Sequence, residues 1–242
     1  LLEGEYPLAS SLYISKANVT IRGMGAGTVL KRATSSSDLI SLANQPNIHI
    51  RDLCVDGNKD SFTENLTNIS TKGLYAVINN CIVRNAAYIG IRIELYDLGT
   101  RIHNCIIRDC TSGIYESSPG NSTAGERATE VHNCIFEGCS DRAMFLFESF
   151  YSVTGNKFSK CNKGFAANWQ KAQKNNNVSN VIMGNIFNET KIPIYSPLYD
   201  DGLIVHGNNI VMNDTNETAI SLSSPQNIIS NNIVRGLCRR GI

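Results

Sequence analysis

The chain has 242 residues, enough to bury a sizeable core in one elongated domain or two small ones. Its 22 Lys+Arg balance 21 Asp+Glu without a basic stripe, which argues against nucleic acid or an anionic membrane surface as a partner. No apolar run approaches the ~20 residues needed to cross a bilayer, so no membrane span is expected.

In chain order, one phrase returns nine times: VTIRGM (19–24), IHIRDL (48–53), YAVINNC (75–81), RIHNC (101–105), EVHNC (130–134), SVTGN (152–156), VIMGN (181–185), IVHGN (204–208) and IISNN (228–232). Taking Met24, Leu53, Cys81, Cys105, Cys134, Asn156, Asn185, Asn208 and Asn231 as its corner, the copies lie 22 to 29 residues apart. Three residues before the corner stand Ile21, Ile50, Ile78, Ile102, Val131, Val153, Ile182, Val205 and Ile228. Two residues after it stand Ala26, Val55, Val83, Ile107, Phe136, Phe158, Phe187, Ile210 and Ile233. A third apolar start follows in GIRI (90–93), GIYE (113–116), AMFLF (143–147), GFAA (164–167), PIYS (193–196) and AISL (219–222). Each copy therefore reads as three short strands joined by Gly- and Asn-rich bends.

A unit this short, made only of strands and turns, cannot bury its apolar face alone and does so by stacking on its neighbours. The pattern predicts an all-β fold, a right-handed parallel β-helix of about nine coils forming a single domain over 1–242. A leucine-rich repeat would need a leucine ladder that is missing here, and a propeller blade needs about 40 residues. The start inside a strand at Leu1 and the end at Ile242, where a new phrase opens, read as an excerpt of a longer protein. Eight Asn-x-Ser/Thr sequons, at Asn18, Asn65, Asn68, Asn121, Asn177, Asn188, Asn213 and Asn216, suit an extracellular or virion surface, or arise by chance in an Asn- and Thr-rich chain.

Six cysteines fall into two columns, Cys81, Cys105 and Cys134 at the corner and Cys110, Cys139 and Cys161 five residues on. Stacked buried thiols are the expected state, with disulfides between adjacent coils as the competitor. The His-x-Cys pairs do not read as a zinc site. With Ile102 and Val131 facing the core, strand alternation turns His103 and His132 outward and Cys105 and Cys134 inward.

Function is expected on the outer face of the third strand column. Its outward positions read Arg92, Tyr115, Phe145, Ala166, Tyr195 and Ser221, and two residues on Glu94, Ser117, Phe147, Asn168, Pro197 and Ser223. Such aromatics suit the apolar faces of sugar rings, and equally a partner chain or a further domain laid over them. The candidate substrate-binding set is Arg92, Tyr115, Phe145, Phe147, Asn168, Trp169 and Tyr195. The candidate catalytic acids are Glu94, Glu116, Glu148, Asp200 and Asp201, since glycan cleavage needs paired carboxylates or a base beside metal-held acids. Parity turns Glu116 and Glu148 inward or into a bend. The loops 117–129 and 168–179, with Arg127, Trp169, Lys171 and Lys174, are the other places to look.

The opening stretch, with Gly4 and Tyr6, NVTIRG (18–23), Gly25 to Thr28 and the later VDGN (55–58), resembles the start of the pectate-lyase-like superfamily of β-helix proteins. The resemblance implies a role with polysaccharide, as lyase, hydrolase or epimerase, or as a tailspike or noncatalytic surface rod in a homotrimer or beside flanking domains. It implies no cofactor, except calcium for a lyase. The polygalacturonase pattern is not met: Asp200-Asp201 and His206-Gly207 share one coil and its other two elements are missing.

Overall fold

The computed structural model of the chain describes residues 1–35, 38–72, 75–94, 99–117, 128–146, 150–167, 180–196, 203–213, 217–223, 227–237 and 239–241. Among these residues there is no helix, and 28 strands stack in three parallel sheets of ten, nine and nine strands. The chain visits the first, second and third sheet in turn and then repeats, which is a parallel β-solenoid. Eight stacking steps separate the first set of three strands from the ninth, and Ile233–Leu237 adds a tenth strand to the first sheet.

The core is built from the two apolar columns the repeat predicts. Ile50, Ile78, Ile102, Val131, Val153, Ile182 and Val205 face inward from the third sheet, and Val55, Val83, Ile107, Phe136, Phe158, Phe187 and Ile210 from the first, all fully buried. Equal side chains on successive coils lie over one another. Phe136 and Phe158 stack with centroids 4.9 Å apart, and Phe158 and Phe187 with centroids 4.6 Å apart, both nearly coplanar.

Both end coils depart from the expected register. In the last, Val205 pairs with Ile229 rather than Ile228, which is exposed. The corner is accordingly Asn232, not Asn231, and Val234 rather than Ile233 packs on the core. The reason is backbone geometry: Asn231 takes the left-handed φ of +53°, the place held by Asn104, Asn133 and Gly207 just before the corner in other coils. In the first coil, Met24 and Ala26 are exposed and Leu30, paired with Val55, fills the core position. The extra residues form a Gly-rich turn in which the Gly25 N–H donates to the Asp52 carbonyl.

The first-sheet strands Ile82–Arg84, Ile106–Arg108, Ile135–Glu137, Lys157–Ser159 and Ile186–Asn188 are each bracketed by two left-handed residues, and Asn209–Asn213 is preceded by one. Asn80, Asn104, Asn133, Gly155, Gly184 and Gly207 precede these strands, and Asn85, Asp109, Gly138, Lys160 and Glu189 follow them. Asn, Asp and Gly adopt this conformation at little cost, which accounts for the Asn/Gly-rich bends. A small inward residue comes next in each case: Cys, Asn, Ala or Thr at the tight corners, where a larger side chain would collide with the neighbouring coil.

The first of these inward columns is a continuous hydrogen-bonded ladder. Asn156 Oδ1 accepts from the Cys134 N–H, Asn185 Oδ1 from the Asn156 N–H, Asn208 Oδ1 from the Asn185 N–H and Asn232 Oδ1 from the Asn208 N–H, all at 2.8–2.9 Å. Each amide nitrogen donates in turn to a carbonyl of the coil before, as Asn185 Nδ2 does to Val153 at 2.9 Å. Further up, thiols take the same positions. Cys134 Sγ accepts from the Cys105 N–H at 3.5 Å and donates to the Ile102 carbonyl at 3.5 Å.

All seven described cysteines are free and buried, so disulfide pairing between coils is not what holds them. Burial raises the Cys54 thiol and pushes that of Cys110 up to about 12, while Cys139 is raised first by the hydrogen bond its thiol donates to Cys161 and then by burial, the same bond lowering Cys161. Burial is what all seven share, and a thiol that a reagent cannot reach is a poor nucleophile whatever its proton affinity. We expect these seven to resist a thiol-directed reagent at pH 8 in the native protein and to label fully in denaturant. Rapid native labelling of Cys105 or Cys139, mapped by peptide mass, would contradict the packing.

Of the sequons, Asn68 is fully buried, and its Nδ2 donates to the Arg84 carbonyl at 2.8 Å. The folded chain cannot present it to a glycosylating enzyme.

Candidate functional site

The second sheet places the expected stripe in one register. Ser41, Ser70, Arg92, Tyr115, Phe145, Ala166, Tyr195 and Ser221 pair strand to strand along the solenoid axis. Alternation points them away from Ile40, Ile69, Ile91, Ile114, Met144, Phe165, Ile194 and Ile220, which fill the core.

The row has an aromatic part and a charged part. Tyr115 and Phe145 stack with centroids 5.1 Å apart, and the Arg142 guanidinium sits 4.7 Å from the Phe145 centroid. Phe145 is consequently only 8 % exposed and lends its area to packing, while Tyr115 and Tyr195 remain half-buried. Lys163 Nζ lies 5.4 Å from the Tyr195 ring centre.

At the other end, Arg92 joins two carboxylates. Its Nη2 is 2.6 Å from Asp38 Oδ1, and its Nε lies 3.0 Å from Glu94 Oε1, near enough for an ion pair though not aligned as a hydrogen bond. Ser70 Oγ donates to the same Glu94 oxygen at 3.1 Å. Burial raises the Asp38 carboxyl above the usual carboxylate range, Arg92 pulls it back, and the negative charge of Glu94 raises it again. Asp38 thus keeps a proton more readily than a solvated aspartate, even beside Arg92.

Arg92, Glu94, Tyr115, Phe145 and Tyr195 thus share one face. Glu116 does not: it is 2 % exposed and paired beside Ile93, on the inward side that parity assigns it. Glu148, Asp200, Asp201, Phe147, Asn168, Trp169, Arg127, Lys171 and Lys174 lie outside the described residues. Asp38, Ser70, Arg142 and Lys163 join the face without having been anticipated. Asp38 and Ser70 sit in DLIS (38–41) and TNIS (67–70), coils that lack the Gly-Ile start by which the column was recognised. Lining them up in register puts Ser70 at the place of Arg92, and so finds it, but puts Asp38 at the place of Ile89, with the parity of a core residue.

No family model matches the chain, and no curated protein matches it. Among solved structures, ORF18 of Geobacillus virus E2 superimposes with a TM-score of 0.54 at 14 % identity, over 96 % of this chain and 51 % of that one. The chain has the parallel β-helix fold. It spans about half the length of the viral protein. Weaker likenesses are to two A-modules of mannuronan C-5 epimerases from Azotobacter vinelandii, AlgE4 (TM-score 0.47, 13 % identity, 100 % of this chain and 87 % of that one) and AlgE6 (0.36, 13 %, 97 % and 90 %).

Proposed function

We propose that the outer face of the second sheet engages a polysaccharide chain, running along the solenoid axis over Tyr195, Tyr115 and Arg92, in a protein of the extracellular space or a virion surface. The observation that carries this reading is one register-aligned row in which Tyr195, Phe145, Tyr115 and Arg92, with Ala166 between the first two, point outward on successive coils. Tyr115 and Tyr195 offer apolar ring faces with a polar hydroxyl, and Lys163 and Arg92 offer hydrogen bonds or charge to sugar hydroxyls and carboxylates, while the buried Ser70 holds Glu94 in place beneath them. Asp38 and Glu94, held on either side of Arg92, are the acid/base pair of choice if the bound glycan is also cleaved.

The partly exposed rings of Tyr115 and Tyr195 support a second reading as well, a noncatalytic rod whose aromatic row packs on another chain. A glycan array followed by titration calorimetry and product analysis separates the two. Tyr115→Ala and Tyr195→Ala should each weaken binding about fivefold to tenfold, since a stacked aromatic face is worth about 1 kcal/mol or more. Asp38→Asn and Glu94→Gln should retain binding and lose any shortening of the polymer. Absence of binding to every neutral and uronate polymer tested, with a concentration-dependent self-association lost in Tyr115→Ala, would replace the glycan reading by the rod.

A further inference from the structure

Away from that row, the outer face of the third sheet brings together three metal-ligating groups. Strands Arg101–His103 and Ala128–His132 pair so that His103 lies beside His132 and Arg101 beside Glu130. The imidazoles meet edge to face with centroids 5.1 Å apart. Glu130 Oε2 is 3.7 Å from His103 Nε2 and 3.8 Å from His132 Nε2, and one donor atom from each of the three residues lies within 4.8 Å of the others.

Two details set this cluster apart from a casual surface group. The Nε2 of His103 is shielded from solvent and has no hydrogen-bond partner, since 3.7 Å is too long for one. A shielded ring nitrogen with nothing to bind is a group that awaits a ligand. The other nitrogen of His132, Nδ1, hydrogen-bonds the Thr154 hydroxyl of the next coil, which fixes the ring with Nε2 turned toward Glu130. Metal-bound histidines are commonly oriented in this way through their second nitrogen.

The charges around the cluster say which ion it suits. Arg101 Nε is 3.6 Å from Glu130 Oε2, so the single carboxylate is already partly balanced by a cation. A hard ion such as calcium or magnesium needs six or more oxygens, which are not supplied. Two neutral imidazoles and one carboxylate suit zinc and its neighbours, with a fourth position left open to water. Zinc sits about 2.0–2.2 Å from such donors, so small side-chain rotations draw the three together.

We propose that His103, His132 and Glu130 form a binding site for a divalent transition metal of the zinc class, clamping two adjacent coils on the third sheet. Thr154 is its positioning residue.

The test is calorimetric titration of the metal-free chain with zinc chloride, alongside cobalt(II) absorption in the visible range. One equivalent of zinc should bind, with a tetrahedral cobalt spectrum, and neither calcium nor magnesium should compete. His103→Ala, His132→Ala and Glu130→Gln should each weaken zinc at least tenfold, and Thr154→Val by about tenfold, the usual cost of losing such a supporting contact. His206→Ala, in the same outward column, should leave binding unchanged. All five positions face outward, so folding is checked simply by far-UV circular dichroism, and the near-isosteric Glu130→Gln stands in should a histidine variant not fold. The proposal is overturned if the wild-type chain binds no zinc at millimolar concentration. It is equally overturned if His103→Ala and His132→Ala bind as tightly as the wild type, which would place the metal elsewhere on the chain.

Discussion

Asn185→Ala is expected to destabilise the protein by about 3–5 kcal/mol, because buried polar groups deprived of partners cost about 1–3 kcal/mol each. The Asn185 side chain accepts from both the backbone N–H and the Nδ2 of Asn156 and donates to the Val153 carbonyl, all in the interior. Alanine strands a donor on one coil and an acceptor on the same wall, with no water to replace them. Asn185→Cys should cost markedly less, since Cys134 already accepts from the coil above and donates to a carbonyl in the equivalent place. Urea denaturation gives the two stabilities. Exchange of the Asn156 amide should accelerate in the alanine variant before global unfolding, because a solenoid coil depends mainly on its neighbours. Equal stability of the alanine and cysteine variants would show that the ladder's hydrogen bonds contribute nothing.

The second large effect is at Phe158. Its ring lies between Phe136 and Phe187 at 4.9 and 4.6 Å, fully buried. Phe158→Ala removes contacts on both faces and leaves a cavity that stacked coils cannot close without shortening the rod, so a loss of about 3–5 kcal/mol is expected. Phe158→Leu, keeping most of the volume, should lose less. The double variant Phe136→Ala/Phe158→Ala should cost less than the sum of its parts, since the pair shares one stack. Thermal or urea unfolding of these three proteins and of Phe136→Ala alone measures both effects; strict additivity would deny the coupling.

The interior was legible because one spacing rule, three residues before and two after the corner, holds through the middle of the chain from Ile50 to Ile210. It failed at the ends for local reasons. IISNN offers two asparagines, and which one is the corner depends on which takes positive φ, a property of the backbone that the letters alone do not carry. GMGAGT inserts a turn where Leu30, further along, does the packing. The site was half legible. Arg92, Glu94, Tyr115 and Tyr195 follow from alternation along recognisable strands, whereas Asp38 reaches Arg92 across 54 residues of sequence. The meeting of His103, Glu130 and His132 has the same origin. Strand parity separates the histidines from the cysteines correctly, yet it is silent on which acid from the adjacent coil arrives beside them.

The paired left-handed residues that bracket the middle strands of the first sheet also bear on how such a chain can drift over generations. Wherever Asn104, Asn133, Gly155 or Gly184 stands, a β-branched or bulky replacement meets an unfavourable backbone before any packing is considered. Outward positions between them, such as Arg108 or Lys157, carry no such constraint. Acceptable change is therefore rationed once per coil at fixed places, and two solenoids of common descent would keep their bends in step long after their faces had ceased to resemble one another.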